Sequence, residues 1–382
     1  MSQTVVHIVL NPFIQDSRVI RECKSLAKIG YDITVIAYWL EGLNIEEMEN
    51  GYKIIRIPIM TKSWSKNPII QMIKYLEFFI RSLFVIKKIQ PNICHGHDPD
   101  GLLIGYFAKL FWKSKLIYDS HEYWADSIHL TGNKRILFKL GRQIEKILIK
   151  RAEVVIAVNK SIADIISKEN NVKSIVVIRN ITNKIQSVTQ YTREGLGFPD
   201  CDFNIIYIGN IQRGRGIEIM IKSMERVYNN ISLVFMGKDS AFKIEMKKLS
   251  KSKKLESRIS FINSVHPNQI LSVCKLADVG IAPIENLCKS YYLSLPNKIF
   301  EYIHAELPVL VSDFPEMKNI VENYSVGEVF NVDEPSSIIG VINNYFDNPD
   351  QIIKYEQNCL QASKELNWDN EEKQLFNLYK KL

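Results

Sequence analysis

Short runs of consecutive apolar residues alternate along this chain with longer stretches whose apolar positions recur every three or four residues. The short runs read as strands buried on both faces and the longer stretches as amphipathic helices; their alternation predicts a parallel α/β sheet. In the first half the predicted strands are Val5–Leu10, Tyr31–Ala37, Tyr52–Ile59, Pro91–His95, Lys115–Tyr118, Val154–Val158 and Ser174–Ile178. Helices are predicted over Arg18–Ile29, stopped by Gly30, from Asn67-Pro68 to Lys88, and over Lys134–Arg151. A glutamate-rich loop around residues 45–49 is expected between the second and third strands. From Thr182 to Asp202 the pattern lapses into a polar linker with Gly and Pro, and then it restarts. Strands are predicted at Phe203–Ile208, Ile231–Met236, Ile259–Ile262 and Val279–Ala282, with helices at Ile217–Val227 and Gln269–Lys275. Two successive Rossmann-like domains result, residues 1–185 and 186–355, followed by a helical tail over 356–382. In that tail Trp368 and Tyr379 are available to pack back on the first domain.

The second half centres on the stretch from Ser294 to Pro308, Ser-Leu-Pro-Asn-Lys-Ile-Phe-Glu-Tyr-Ile-His-Ala-Glu-Leu-Pro. Pro296 fixes one φ angle, Asn297 can cap a helix over Lys298–Ala305, and Val309–Val311 follows as a buried strand. A turn opening a helix beside a parallel strand is an anion site, because free N–H groups and the helix dipole point the same way. Glu301, one turn in, is placed to accept hydrogen bonds from vicinal hydroxyls such as those of a ribose; the plainer alternative is a surface glutamate. Earlier, Gly209-Asn-Ile-Gln-Arg213-Gly-Arg215-Gly216 joins a strand to a helix and suits a pyrophosphate, with arginine forks for phosphate oxygens. A surface arginine pair is the alternative there. Neither GxGxxG after the first strand nor a Walker A pattern is present, which argues against a dinucleotide fingerprint and a P-loop.

Composition and charge narrow the classes. The chain is 46% hydrophobic and 24% charged over 382 residues, values that suit a soluble two-domain enzyme. Six cysteines lie far apart with no CxxC pair, which suits a reducing cytoplasm better than a disulfide framework. No basic region precedes the first apolar run, so no signal peptide is expected. The formal charge of +7 is uneven, about +9 over residues 1–180 and about −2 over 181–382. No RNA-recognition or helix-turn-helix pattern accompanies it, so nucleic acid is not the expected partner. The helix after Asn67 is apolar nearly all round but interrupted by Lys74, Glu77 and Arg81, too often for a membrane span. Flanked by Lys62, Trp64, Lys66, Lys87 and Lys88, it fits a membrane interface or a buried core helix. The basic helix over Lys134–Arg151 suits a membrane surface or a solvated face.

The N-terminal half also carries polar strand ends. His95-Gly-His97-Asp98-Pro-Asp100 has the look of a metal loop, but no later cluster supplies further ligands, so a polar ligand-facing loop is expected instead. Asp119-Ser-His121-Glu122 emerges at the same sheet edge. Asp16 and Arg18 stand where a phosphate or acceptor would approach the first helix, or are an N-cap and a surface arginine.

Taken together, these motifs resemble the group 1, family 4-like retaining glycosyltransferases of the GT-B fold. The likeness rests on Gly209…Arg215-Gly216, Pro283-Ile284, Ser294 to Tyr302, Leu307-Pro-Val-Leu-Val-Ser312, Asp16-Ser-Arg18, His97-Asp98 and Asp119-Ser-His121-Glu122. The resemblance implies two Rossmann-like domains facing each other across a cleft, with a C-terminal helix crossing back. It implies a nucleotide-sugar donor on the C-terminal domain and a glycan or lipid-linked acceptor on the N-terminal one. Arg215 matches the residue on the donor diphosphate, Glu301 the ribose ligand and His121 the histidine beside the transferred sugar. Gly209, Asn210, Arg213, Gly237, His266, Ser294, Leu295, Pro296 and Asn297 fall on the donor side, and Asp16, Arg18, His97 and Asp98 on the acceptor side. Retention would need no protein nucleophile, and neither metal nor cofactor is expected. Two positions depart from the pattern. Leu293 stands where the first of two paired glutamates belongs, and Asn210 replaces an arginine for which Arg213 is expected to compensate. A cytoplasmic enzyme on the inner membrane face, building cell-surface polysaccharide, is the expectation; a nucleotide-sugar epimerase of the same fold, or a non-catalytic glycosyltransferase-like scaffold, is the alternative.

Overall fold

A computed structural model describes residues 3–382 apart from 15, 66, 127–134 and 184–188 and the side chains of 135–140. Lys66, Lys134 and the expected boundary at 185/186 lie outside the described residues. The chain forms two compact units, residues 1–180 with 371–382, and residues 181–370.

The first unit runs β1 (Thr4–Ile8), α1 (Ser17–Lys28), β2 (Asp32–Tyr38), β3 (Glu46–Glu49), β4 (Tyr52–Ile57), α2 (Pro68–Ile89), β5 (Ile93–His97) and α3 (Asp98–Trp112). It continues with β6 (Lys115–Ser120), α4 (Arg135–Leu148), β7 (Val154–Ala157), α5 (Lys160–Asn170) and β8 (Ile175–Val177). The sheet order is β3-β4-β2-β1-β5-β6-β7-β8, parallel throughout except for β3 against β4. The glutamate-rich segment expected as a loop is therefore an antiparallel edge strand. Its exposed glutamates suit it to that edge, where charge discourages further pairing. The strand order reverses between β1 and β5, and ligands of such sheets bind at the carboxyl ends beside that reversal.

Helix α2 begins where expected, with the Asn67 side chain accepting from the Ile69 N–H. A fully buried core helix is not what forms. Phe78, Ser82 and Ile86 are buried, while Ile69, Met72, Leu76, Ile80 and Phe84 are exposed on the opposite side. No helix among the described residues is long and apolar enough to cross a membrane.

The second unit holds α6 (Arg193–Leu196), β9 (Phe203–Ile208), α7 (Ile217–Ser223), β10 (Ile231–Met236), α8 (Ala241–Ser252), β11 (Ile259–Ile262), α9 (Ile270–Cys274) and β12 (Val279–Ala282). After these come α10 (Lys289–Tyr292), α11 (Asn297–His304), β13 (Val309–Ser312), α12 (Pro315–Tyr324), β14 (Gly327–Phe330), α13 (Pro335–Asp347), α14 (Pro349–Glu365) and the start of α15 (Trp368–Lys380). Its six strands are all parallel in the order β11-β10-β9-β12-β13-β14, reversing between β9 and β12.

The segment that joins the first unit starts at Glu371, not at residue 356 as expected. Helix α14 stays with the second unit because Tyr355 stacks on Tyr345, with ring centroids 5.7 Å apart, and Cys359 is buried. The rest of α15 is tied to the first unit. Glu371 takes Arg179 through Nε at 2.9 Å and Nη2 at 2.6 Å, Glu372 accepts from Ser25 at 2.7 Å, and Tyr379 is buried.

Candidate active site

Each unit brings a group of charged and polar side chains to the reversal point of its own sheet. In the first unit, parallel pairing sets His7 opposite His95 and His97 opposite Asp119. Side chains two apart on a strand share a face, so these four line one side of the sheet. Helix α1 brings Arg18 and Glu22, one turn apart, onto the same cluster. Arg18 is buried and bidentate on Asp119, through Nε at 2.8 Å and Nη2 at 2.9 Å, and its Nη1 donates to the Ile178 carbonyl at 2.9 Å.

This corrects the placement of Arg18 on the acceptor side: its guanidinium is committed inside the protein. Asp16 serves as the N-cap of α1, accepting from Val19 N–H at 3.3 Å and from Asn11 Nδ2 at 2.8 Å. His97 is buried too, its Nε2 2.9 Å from His7 Nδ1 and its Nδ1 3.0 Å from His121 Nε2. The expected loop after His95 is absent. Strand β5 runs through His97 and α3 starts at once with Asp98, whose φ is +55°.

The cluster reaches solvent at His121 and Asp98. Asp98 accepts from the His121 backbone N–H at 3.2 Å, and its other oxygen lies 3.5 Å from His121 Nδ1. His121 Nε2 is 3.3 Å from Asp119, and the side chain keeps 24% of its surface exposed. Burial works against a proton on His121, but Asp98 and then Asp119 outweigh it and lift the imidazole to about 10. Burial likewise opposes ionisation of Asp119, and Arg18 followed by His121 overcomes it, holding the carboxyl well below its usual range. One guanidinium cannot serve two buried carboxylates equally. Burial pushes Glu22 up to about 8, against the pull of Arg18, which favours its neutral form.

Among the described residues, His97, Asp119 and His121, and separately His7, Glu22, His95 and His97, present ligand atoms within 4.8 Å of one another. The sequence reading had found no such convergence. Metal ligation competes there with hydrogen bonds already formed, since both nitrogens of His97 face other histidines and Asp119 is neutralised by Arg18.

In the second unit, the Gly209–Gly216 loop leaves the end of β9. Gly216 has φ +69° and a Cβ there would lie 1.8 Å from the Pro283 carbonyl oxygen, so only glycine lets the loop close on the end of β12. Gly237 packs so tightly that a Cβ would fall 2.3 Å from the Gly209 carbonyl oxygen, which makes it a backbone contact of that loop. The Tyr207 hydroxyl donates to the Asn210 carbonyl at 2.8 Å and steadies the loop's first turn. Arg215 stacks over Tyr291, 4.7 Å from the ring centroid. Arg213 turns away: 70% of its side chain is exposed, and its guanidinium pairs with Glu245 at 3.2 Å.

Helix α11 is pinned by Tyr302, whose hydroxyl accepts from Ile208 N–H at 3.0 Å and lies 3.1 Å from the Ile281 carbonyl oxygen. Gly280 makes room for that ring. The helix starts at Asn297 and has no side-chain cap, so Asn297 is not the N-cap expected from its residue type; Pro296 occupies that position. Ser294 Oγ donates to the Tyr291 carbonyl at 2.7 Å, and Leu295, Pro296 and Asn297 are half-buried beside it. Glu301 is half-buried on the first turns of the helix, and Leu293 is buried. His266 is exposed and bonds Asn268, capping its own turn.

Sequence reasoning assigned no role to three contributors, two of which it had named within motifs. Asp119 is the hub of the first cluster, and its register opposite His97 carried the signal. His7 is the second, an unusual residue inside an apolar strand. Lys298 is the third: it stood in the stretch from Ser294 to Pro308, but nothing in its spacing showed that its Nζ would be buried 3.3 Å from the Tyr207 ring centroid.

Comparison with known proteins adds family. Residues 16–183 match the model for Glycosyltransferase Family 4, and residues 189–365 that for Glycosyl transferases group 1. A chitobiosyldiphosphodolichol beta-mannosyltransferase of Debaryomyces hansenii is 24% identical, the match covering 96% of this chain and 86% of the yeast protein. Among solved structures, a sucrose-phosphate synthase of Thermosynechococcus elongatus superposes with TM-score 0.83 at 17% identity, over 99% of this chain and 98% of the other. Anabaena HepE in complex with UDP-glucose gives 0.76 at 12% identity, over 99% and 100%.

Proposed function

Because this chain belongs to the group 1, family 4-like glycosyltransferases of the GT-B fold, we propose that it moves a sugar from a nucleotide-sugar donor to a lipid-linked glycan acceptor with retention. The observation that carries the donor half is the second unit's loop, where Arg215 lies over Tyr291 and has no ion-pair partner among the described residues. A diphosphate supplies that partner, and Glu301 one turn into α11 takes the ribose hydroxyls. Anabaena HepE, with the same fold, binds UDP-glucose. Electrostatic stabilisation of the departing diphosphate is then the main catalytic contribution, and no metal or cofactor is required.

Retention is supported by the charge state of His121. Held protonated by its two carboxylate neighbours, it is unsuited to be a general base at neutral pH and suited to be a hydrogen-bond donor beside the sugar. The acceptor's proton then passes to the leaving phosphate oxygen on the same face. A lipid-linked acceptor is supported by the yeast relative, whose name gives a dolichol diphosphate acceptor. The exposed apolar row of α2, with Lys74, Arg81, Lys87 and Lys88 on the same helix, suits the anionic membrane surface where such an acceptor resides. Cell-surface polysaccharide synthesis at the inner membrane face is the role that fits.

Thermal stabilisation by UDP-, GDP-, ADP- and CMP-linked sugars without metal tests the donor half. A ligand at about one hundred times its Kd adds about 2.7 kcal/mol to stability. One donor is expected to raise the Tm, with the rise abolished in Glu301→Ala. No shift with any donor would refute the reading. Proton NMR of the product's anomeric centre decides retention.

A further inference from the structure

Lys298, on helix α11 beside the donor loop, is the feature of the second unit that protein hydrogen bonds leave unexplained. It is 8% exposed, yet its Nζ has no hydrogen-bond partner. A buried ammonium normally collects two or three acceptors, because leaving water without replacing its hydrogen bonds costs several kcal/mol. Here the Nζ faces the Tyr207 ring at 3.3 Å and lies 3.6 Å from where a Gly209 side chain would begin. Its charged neighbours are Arg215, which repels it, and Glu301, which attracts it. Burial first and Arg215 second hold the ammonium well below its ordinary range. The interior around it could have dispensed with a lysine: an apolar side chain of the same length would fill the space without a stranded charge.

We propose that Lys298 is a second counter-charge for the donor's diphosphate, working with Arg215 to select nucleoside diphosphates over monophosphates. The assignment rests on the donor-binding reading above and names a residue for it that lies outside the glycine-rich loop. Three observations agree on the location. The unpartnered Nζ sits at the carboxyl end of β9, next to the first loop glycine. The helix that carries Lys298 is fixed in register by the Tyr302 hydroxyl. Glu301, the ribose candidate, is three residues further along that helix. One terminal phosphate oxygen accepting from Nζ would restore a missing hydrogen bond and bring a charge that reverses the repulsion from Arg215. A single α-phosphate held by Arg215 offers no such second contact.

Calorimetric titration of UDP, UMP, GDP, GMP, ADP and AMP into wild-type protein and Lys298→Met provides the test. Wild type is expected to bind one diphosphate at least tenfold more tightly than its monophosphate. In Lys298→Met the diphosphate affinity is expected to fall ten- to hundredfold while the monophosphate changes less than twofold. The Tm of the ligand-free variant is expected to change little, because the lost contact with the Tyr207 ring is offset by removal of a buried Nζ that has no hydrogen-bond partner. Unchanged diphosphate affinity in the variant would overturn the role of Lys298 and leave the donor reading standing. Equal weakening of mono- and diphosphate would reduce Lys298 to a packing residue. If wild type binds none of these nucleotides, the donor reading fails and this assignment with it. Lys298→Gln, which keeps a polar end without the charge, replaces the methionine variant if that one does not fold, with the same expected loss.

Discussion

The two units place positive charge at their sheet reversals in opposite ways. In the first, Arg18 is buried against Asp119, and the histidines behind it bond one another. In the second, Arg215 lies on an aromatic face and Lys298 has no acceptor. A buried charge with its partner built in belongs to the architecture, and removing one member strands the other. A buried charge whose partner is absent from the chain is held in readiness for something else. Both regions use basic residues near a strand end, and only the second is poised for an anion.

The sharpest way to break this comparison is to delete one arginine from each side. Arg18→Met removes the bidentate partner of the buried Asp119 and leaves His121 as the one raised imidazole beside it. Loss of one member of a buried pair costs about 3–5 kcal/mol. Urea denaturation should show that loss. Arg215→Met is expected to leave the denaturation midpoint within error and to weaken nucleoside diphosphate binding, because a charge-assisted hydrogen bond contributes about 1.5–3 kcal/mol. If the two variants exchanged effects, with Arg18→Met stable and Arg215→Met unfolding, the division between architecture and site would be wrong.

A titration sharpens the first side. His121 is raised to about 10 against an unfolded value near 6.5. A raised folded value means that its contribution to stability is fully present below pH 6.5 and lost as pH rises through about 10. Turnover should follow, level from neutrality to about pH 9 and declining beyond it. Histidine NMR should show no His121 titration between pH 6 and 8.5. A midpoint near 6.5 would mean that Asp98 and Asp119 do not govern the ring, and His121 would again be a candidate base.

The same contrast explains what could be read in the chain before its fold was known. Both parallel sheets were legible because runs such as Val154–Val158 and Ile231–Met236 are apolar and bounded by polar turns. Segment 46–49 was not, since an edge strand needs only one partner and its glutamates read as loop. Motifs in a fixed order located both clusters. Direction was harder. Arg18, Arg213 and Arg215 are equally basic in sequence, and only tertiary neighbours separate them: Asp119 for the first, Glu245 for the second, Tyr291 for the third. The helix carrying Lys298 was visible, but which residue on it lost its water was settled by the packing of Tyr207 and Tyr302.

Arg213 gives the smallest expected effect and so the finest check. The sequence pattern, with Asn210 in place of an arginine, cast Arg213 as its stand-in on the diphosphate. Its guanidinium instead lies in solvent beside Glu245, itself about half exposed, and 5.3 Å from the Phe242 ring centroid. Exposed pairs of this kind contribute about 0–1 kcal/mol. Arg213→Ala should therefore change both donor affinity and stability by less than about fivefold in the corresponding equilibrium constants, which titration calorimetry and urea denaturation both resolve. A tenfold loss of donor affinity with unchanged stability would show that the side chain swings from Glu245 to the ligand, and three basic groups, two from the loop and one from the helix, would then serve one diphosphate. Unchanged affinity leaves Arg215 and Lys298 as its two cations, one from the glycine-rich loop and one from the helix.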